Sequence, residues 1–177
     1  MNKNSSHDPE KFLFSNIRPG KGMVIFQKDT EKERSDKKVE KKEAEKLLKE
    51  YGGNYIILEE AKSQGVTRPD ILRNNMEYIE IKSPNSMAAV DGRVKDGLRQ
   101  LSLEKCKIGR EKRKILLLLL GNKVKNANKK KLVDVINKRL SYSKGYDLDA
   151  IIIRRAKDKI IILTKNSPTS RNYKVGM

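Results

Sequence analysis

Residues 68–82 read RPDILRNNMEYIEIK, in which two runs suited to β-strands surround a pair of asparagines. Residues 70–73 and 76–82 are predicted to be the two arms of a hairpin, with Asn74-Asn75 in the turn. A hairpin of this length brings the start of its first arm back beside the end of its second. Two acidic residues and a lysine therefore come close enough together to be considered as one functional site.

The second arm of this hairpin alternates between two kinds of side chain. In a β-strand, side chains two positions apart point to the same face. Glu80 and Lys82 therefore share one face of the strand, whereas Ile79 and Ile81 share the other. Burial of the two isoleucines would direct Glu80 and Lys82 together into a cleft. Taken alone, such a pair is also typical of a surface ion pair, which contributes under about 1 kcal/mol.

The length of the turn decides whether Asp70 joins this pair. A three-residue turn, Asn74 to Met76, places Asp70 directly across from Glu80, with the Cβ atoms roughly 5 Å apart. A two-residue turn pairs Asp70 with Ile79 instead and sends the two carboxylates to opposite faces. A site built on Asp70, Glu80 and Lys82 therefore requires the longer turn or a bulge.

Two carboxylates at this separation repel each other unless a cation lies between them. A divalent metal that prefers oxygen ligands, Mg²⁺ or Mn²⁺, suits such a pair. It could bind a scissile phosphate and lower the pKa of a bound water, while Lys82 positions the water or stabilises negative charge in the transition state. The hairpin thus indicates metal-assisted hydrolysis of a phosphodiester.

The rest of the chain alternates between helix patterns and strand patterns. The predicted helices are residues 35–51, 87–106 and 128–142, and the further strands are residues 23–27, 55–58, 115–120, 150–153 and 160–164. This order is typical of an α/β sandwich in which a mixed sheet is flanked by helices. The run from Ile115 to Leu120 is apolar throughout, so it is predicted to be a buried central strand.

A chain of 177 residues fits one domain with a tail at either end. Residues 1–34 are predicted to be a polar lead-in, residues 35–165 the folded domain, and residues 166–177 a polar tail. No apolar segment near the N-terminus has the pattern of a secretory signal. The apolar run at 115–120 is too short to cross a bilayer.

The composition narrows the possible chemistry. A formal net charge of +18 attracts phosphate backbones, anionic lipid or an acidic protein partner, and the charge alone does not choose among them. Cys106 is the only cysteine, which excludes an intramolecular disulfide and a cysteine-based zinc site. His7 is the only histidine, which excludes catalysis by paired histidines and disfavours a Ser-His-Asp triad. Any hydrolysis must therefore use carboxylates, lysine, tyrosine or metal.

Pro69-Asp70 followed by Glu80-Ile81-Lys82 resembles the PD-(D/E)xK signature of the restriction-endonuclease-like superfamily. The predicted order of a helix, three strands, a helix and a strand is the context in which that signature occurs. The resemblance implies a restriction-endonuclease-like sandwich and a Mg²⁺- or Mn²⁺-dependent endonuclease. It also implies that Asp70 and Glu80 are metal ligands and that Lys82 is catalytic.

The helix before the hairpin extends the resemblance to roughly residues 37–164. Glu43-Ala44 through Leu47-Leu48 to Gly52 is similar to the first helix of the tRNA-cleaving toxin domains at the C-termini of contact-dependent growth inhibition proteins. In that family a glutamate about nine residues before the glycine joins the metal site. The resemblance therefore implies Glu43 as a third metal ligand.

Other residues compete for this role or add to it. Glu40 lies nearer the centre of the apolar helix face than Glu43 and is an alternative ligand, whereas Glu45 is a weaker one. A surface position for Glu43 is an equal alternative. Gln100, in the helix after the hairpin, resembles the glutamine that often follows the ExK strand, which implies a catalytic role for it.

Positive charge concentrates between Lys105 and Lys144, where 14 Lys or Arg residues stand against two acidic ones. Its densest part is predicted to bind a phosphate backbone without reading sequence, through Lys123, Lys125, Lys129, Lys130 and Lys131. A solvated surface loop is an equal alternative for these residues. Aromatic residues are not interleaved with the lysines, so base stacking has no visible basis here.

The resemblance implies a tRNA-cleaving toxin domain. Such a domain is delivered as part of a larger secreted protein, acts in the cytoplasm of a bacterial target cell and is inhibited by a cognate immunity protein. Two alternatives remain open: a DNA endonuclease of the restriction or Holliday-junction type, and a non-catalytic nucleic-acid-binding module of the same fold.

Overall fold

The computed structural model of the chain describes residues 13–59, 68–102, 112–142, 148–156 and 158–164. In these residues there are seven strands, which form one sheet, and four helices. The strands are β1 (Gly22–Phe26), β2 (Gly53–Ile57), β3 (Ile71–Arg73), β4 (Glu77–Lys82), β5 (Arg113–Leu119), β6 (Ala150–Arg154) and β7 (Lys159–Leu163). The helices are α1 (Glu31–Asp36), α2 (Lys38–Tyr51), α3 (Met87–Ser102) and α4 (Lys129–Tyr142).

The seven strands lie side by side in the order in which they occur in the chain. β1 is parallel to β2, and β4, β5 and β6 are parallel to one another, whereas the remaining neighbours are antiparallel. The predicted α/β architecture with a mixed sheet is therefore confirmed. β5 lies inside the sheet between two parallel neighbours, and its residues Ile115 to Leu118 are buried, as the continuous apolar run predicted.

Helices cover both faces of the sheet, so the strands have two separate cores. On one face, Ala44, Leu47 and Tyr51 of α2 pack with Ile79 and Leu117. On the other face, α3 and α4 pack against residues that alternate with these, including Leu116 and Leu118. A strand that is buried on both faces must be apolar at successive positions, which explains the unbroken leucines of β5.

The folded unit begins before the predicted boundary at residue 35. Leu13 and Phe14 are fully buried in the core on the α2 side, and β1 forms the edge of the sheet. The backbone N–H and hydroxyl of Ser15 both donate to Glu77 Oε1 at 2.8 Å. Residues 13–34 thus contribute two core residues, an edge strand and a hydrogen bond to Glu77.

A buried ion pair closes the turn end of the β3–β4 hairpin. Arg73 Nη1 lies 3.3 Å from Glu77 Oε2, and both side chains are fully buried. Arg73 Nε also donates to the carbonyl of Gly52 at 2.9 Å and to the hydroxyl of Tyr55 at 3.0 Å. Arg73 thereby supplies a partner for a carbonyl at the C-terminal end of α2 and joins that end to the hairpin.

The predicted helix at 35–51 is in fact two helices. α1 begins four residues earlier, at Glu31. The Glu33 N–H donates to the hydroxyl of the capping residue Thr30 at 3.2 Å, and the helix ends before Lys37. The predicted helix at 128–142 is confirmed within one residue, and the helix predicted at 87–106 is described as far as Ser102. The predicted tail at 166–177, His7 and Cys106 lie outside the described residues. None of the described helices is long and apolar enough to cross a membrane.

Candidate active site

The hairpin has the three-residue turn that the site requires. Ile71 pairs with Ile79, Leu72 with Tyr78 and Arg73 with Glu77. The turn is therefore Asn74 to Met76, and continuing this register places Asp70 opposite Glu80. Asn74 and Asn75 have φ values of 48° and 56°, a left-handed conformation that asparagine tolerates better than most residues. The two asparagines thus suit the turn, and the register that it closes brings the carboxylates together.

Hydrogen bonds hold the three predicted residues beside one another. Asp70 Oδ2 accepts from the Ile81 N–H at 2.7 Å, which fixes the Asp70 side chain against β4. Lys82 Nζ lies 2.5 Å from Glu80 Oε1. Glu80 is only 1% exposed, and its other oxygen, Oε2, is buried and has no hydrogen-bond partner among the described residues. One carboxylate oxygen of the site is thus left without a partner.

Burial and mutual repulsion disfavour two negative charges at this place. Burial raises the pKa of Glu80 to about 7, and the charge of Asp70 adds to this rise, while Lys82 opposes it. Burial also raises the pKa of Asp70, and the Ile81 N–H opposes that rise. Both carboxylates can be ionised together more readily when a further cation lies beside them.

The three candidate glutamates of α2 have different surroundings. Glu43 is buried, and its carboxylate lies 2.5 Å from Lys46 Nζ and 3.2 Å from Arg154 Nε. Glu40 lies three residues nearer the start of α2, and its charge acts on Asp70, whose pKa it raises. Glu45 is exposed and lies 3.9 Å from Lys41. Of the three glutamates, Glu40 is the one that the structure links electrostatically to the hairpin site.

The predicted set of three metal ligands is not assembled as one group. Among the described residues, no three or more His, Cys, Asp or Glu side chains are arranged so that they could hold a metal ion together. Asp70 and Glu80 are neighbours in the sheet, whereas Glu43 is engaged by two basic side chains. The sequence separates Glu40 from Glu43 by less than one helical turn, and only the packing of α2 on the sheet distinguishes them.

Gln100 lies near the C-terminal end of α3 and is partly buried. Gly97, one turn before it, contacts Leu116, which is the sheet neighbour of Glu80 on β5. None of the hydrogen bonds found among the described residues joins Gln100 to the hairpin site. The structure therefore gives Gln100 a position on the helix that covers the site but no contact with the carboxylates.

The predicted phosphate-binding lysines lie at the same edge of the sheet as the site. β4 and β5 are parallel, and Lys82 is level with Leu118, so both strands end at this edge. Residues 121–128, here called the basic turn, follow β5 directly, and the Gly121 N–H donates to the carbonyl of Pro84 at 3.0 Å. The basic turn starts at Gly121, three residues after Leu118. It therefore lies roughly 10 Å along the strand direction from the level of Lys82.

The basic turn is packed onto the protein by its apolar residue and its backbone. Val124 is buried, and the Lys125 carbonyl accepts from the Ala156 N–H at 3.3 Å. Asn128 then caps α4, since its side chain accepts from the Lys131 N–H at 3.1 Å. The lysines in and after the turn are mostly exposed to solvent: Lys123, Lys125, Lys130 and Lys131, with Lys129 partly buried.

Sequence reasoning missed Lys37, a buried lysine whose charge acts on Asp70. It lies at the break between α1 and α2, inside a segment that was predicted to be one continuous helix. A usable signal was present, because Thr30 and Glu33 have the Thr-x-x-Glu spacing of a helix start. A helix beginning there indicates an interruption before the apolar face of α2.

Comparison of the chain with protein-family models, with curated proteins and with solved structures finds no match.

Proposed function

We propose that this chain is a metal-dependent endonuclease of the PD-(D/E)xK class with a restriction-endonuclease-like fold, and that Asp70, Glu80 and Lys82 form its active site. The observation that carries the proposal is the buried, unpartnered Oε2 of Glu80 beside a second carboxylate. A buried carboxylate oxygen without a partner costs free energy, which a bound ion or an ordered water can offset. A cation is the ligand that relieves both the missing contact and the repulsion.

The donor set suits a hard divalent cation. Asp70 and Glu80 offer carboxylate oxygens only, which favours Mg²⁺ or Mn²⁺ over metals that prefer nitrogen or sulphur. A third carboxylate would have to move toward the pair: Glu40, whose charge already acts on Asp70, or Glu43, which would have to leave Lys46 and Arg154. When bound, the metal would supply Lewis-acid activation of a phosphodiester.

The protein side chains have separate roles in this scheme. The Ile81 N–H orients Asp70, so the carboxylate that faces Glu80 is held by the hairpin itself. Lys82 is held by Glu80 Oε1 and keeps a positive charge at the mouth of the site. An ammonium in that position stabilises negative charge that develops on a phosphate oxygen during hydrolysis. Because the hairpin is anchored by the Arg73–Glu77 ion pair at its other end, these groups are held in place before substrate binds.

The proposed substrate is a nucleic acid, most specifically tRNA. The basic turn and the start of α4 lie at the same edge of the sheet as Lys82, which supports a backbone-binding surface that continues from the site. The choice of tRNA, delivery within a larger secreted protein, action in the cytoplasm of a target cell and inhibition by an immunity protein rest on the resemblance of residues 37–164 to growth-inhibition toxins.

The test is a cleavage assay with the purified chain, Mg²⁺ and either tRNA or duplex DNA. Asp70→Asn, Glu80→Gln and Lys82→Ala should each lower the cleavage rate by about 100-fold or more. Glu45→Gln and Lys41→Ala, which remove charges of the same kinds from an exposed pair on α2, should leave it unchanged. Cleavage of DNA alone would replace tRNA by DNA as substrate. Binding without cleavage of either polymer, with Mg²⁺ or Mn²⁺ present, would leave only a binding module.

A further inference from the structure

Lys37 is buried in a way that lysine rarely is. It is 5% exposed and lies at the break between α1 and α2. Its N–H donates to the carbonyl of Glu33 and its own carbonyl accepts from the Lys41 N–H, both at 3.0 Å, so the backbone at the break is held from both sides. Lysine is seldom buried to this extent unless its charge is paired.

The ammonium of Lys37 has no partner within the described part of the chain. It makes neither a hydrogen bond nor an ion pair there, although twelve such ion pairs connect other side chains. Its Nζ is also not among the fully buried atoms that lack a partner, so the charged end reaches solvent while the aliphatic stem is covered. The fold thus holds the charge of Lys37 in place, and no described residue forms a hydrogen bond or an ion pair with it.

The position of this charge points to an anionic ligand. α2 runs back along β2, so its N-terminal end lies at the edge of the sheet where the Leu58 N–H, after β2, donates to the Asp70 carbonyl at 2.9 Å, and the charge of Lys37 lowers the pKa of Asp70. It is also the N-cap residue of α2, and that 14-residue helix begins without a side-chain cap. The first N–H groups of an uncapped helix and the positive end of its dipole both favour an anion. α2 packs on β2 and the basic turn follows β5, and these two strands flank the β3–β4 hairpin on opposite sides.

We propose that Lys37, with the N-terminal end of α2, binds a phosphate group of the polynucleotide substrate next to the one that is cleaved. This inference rests on the proposed function for the identity of the ligand as a polynucleotide. The strand would then pass from the basic turn, across the hairpin site, to Lys37. Because the buried stem already fixes the side chain, little further ordering of Lys37 is needed when the phosphate binds.

The test measures binding of tRNA to the full chain by fluorescence anisotropy, with EDTA present and at several salt concentrations. Lys37→Met keeps the aliphatic stem and removes the charge, and should weaken binding about tenfold. It should also lower the slope of log Kd against log salt by about 0.7, the contribution of one phosphate contact on a single strand. Lys38→Met removes the same charge from the exposed neighbouring residue and should change Kd by less than about twofold. Lys37→Arg, which keeps a cation, should retain most of the affinity.

Equal changes in Kd for Lys37→Met and Lys38→Met would overturn the inference, because net charge alone would then explain both. Unchanged tRNA binding by Lys37→Met together with a shifted pH dependence of cleavage would also overturn it, since Lys37 would then act only through Asp70. If Lys37→Met does not fold, the same comparison is made with Lys37→Gln. The binding assay does not require cleavage. A chain that binds tRNA without cutting it would therefore contradict the proposed nuclease, and the effect of Lys37→Met on Kd would still test the phosphate contact.

Discussion

Glu80 has a carboxylate that is almost entirely removed from water and faces a second carboxylate, Asp70. Lys82 Nζ donates to Oε1, whereas Oε2 has no hydrogen-bond partner among the described residues. A residue of this kind is costly for the folded state. The cost at one residue is the physical reason for expecting a cation at this place.

The raised pKa of Glu80 predicts how stability depends on pH in the absence of metal. The pKa of Glu80 rises from 4.5 to about 7 on folding, so the folded state holds the proton more tightly than the unfolded chain. This contribution to stability is fully present below pH 4.5 and is lost as the pH rises through about 7. In EDTA, the free energy of unfolding should therefore fall from about pH 5 to about pH 8 by on the order of 2 kcal/mol more in the native chain than in Glu80→Gln.

Urea unfolding at the two pH values measures this difference. Mg²⁺ should restore the lost stability of the native chain at the higher pH, because it binds the ionised pair in the folded state only. Glu45→Gln, at an exposed position, should behave like the native chain. An identical pH dependence in the native chain and in Glu80→Gln would contradict the buried ionisation, and no effect of Mg²⁺ would contradict the metal site.

α3 packs on the sheet at the level of the site. Gly97 of α3 lies against Leu116 of β5, and a Cβ built at Gly97 would come 2.4 Å from Leu116 Cδ1. Leu116 is the partner of Glu80 across the β4–β5 ladder. The closeness of the helix to the sheet at this level therefore depends on the absence of a side chain at one position.

Two glycines on the same helix give a matched comparison. Gly97→Ala should destabilise the protein by about 1–3 kcal/mol, since either the helix or Leu116 must move. It should also lower the cleavage rate, because the movement occurs beside Glu80. Gly92→Ala has no atom within 4 Å of the new Cβ and should stabilise the helix by about 0.5–1 kcal/mol. Urea unfolding compares the variants, and equal stabilities for the two would show that α3 does not pack closely at Gly97.

The whole molecule has a net charge of +18, and the structure shows where part of it is concentrated. Lys129, Lys130 and Lys131 occupy the first turn of α4, which has no acidic residue. Lysines at a helix N-terminus oppose the helix dipole and destabilise the helix. Three consecutive lysines at this helix start, on the edge of the sheet that holds the site, therefore indicate that some stability is given up for function. Binding of a phosphate backbone would be such a function.

Replacing these three lysines by glutamine should therefore have opposite effects on stability and on binding. The triple variant should gain roughly 1 kcal/mol in the free energy of unfolding, because the unfavourable charges at the helix start are removed. Its slope of log Kd against log salt for tRNA should fall by about 2 if all three lysines contact phosphates. The matched control replaces three exposed lysines of α1 and α2 by glutamine: Lys32, Lys42 and Lys49. Equal losses of affinity in both triple variants would contradict a localised binding surface.

Much of the site could be predicted from local sequence. The alternation of residues 77–82 places Glu80 and Lys82 on one face whatever the rest of the fold does, because the strand has a period of two. The continuous apolar run of β5 likewise predicts a strand that is buried on both faces. Asn74-Asn75 indicated a turn, but its sequence was compatible with two lengths. The pairing of Arg73 with Glu77, which is stabilised by Gly52 and Tyr55 from elsewhere in the chain, selected the longer one.

The sequence by itself determined the residues available for chemistry: carboxylates and lysines, with one histidine and one cysteine in the whole chain. Only the tertiary structure decided which of them meet. Ser15 donates to Glu77 across 62 positions. α2 turns Glu43 toward Arg154 and leaves Glu40 within electrostatic range of Asp70, and the break between α1 and α2 buries Lys37. Such contacts join residues that are distant in the chain, and their free energy depends on the packing of helices on the sheet, which no local pattern of residues specifies.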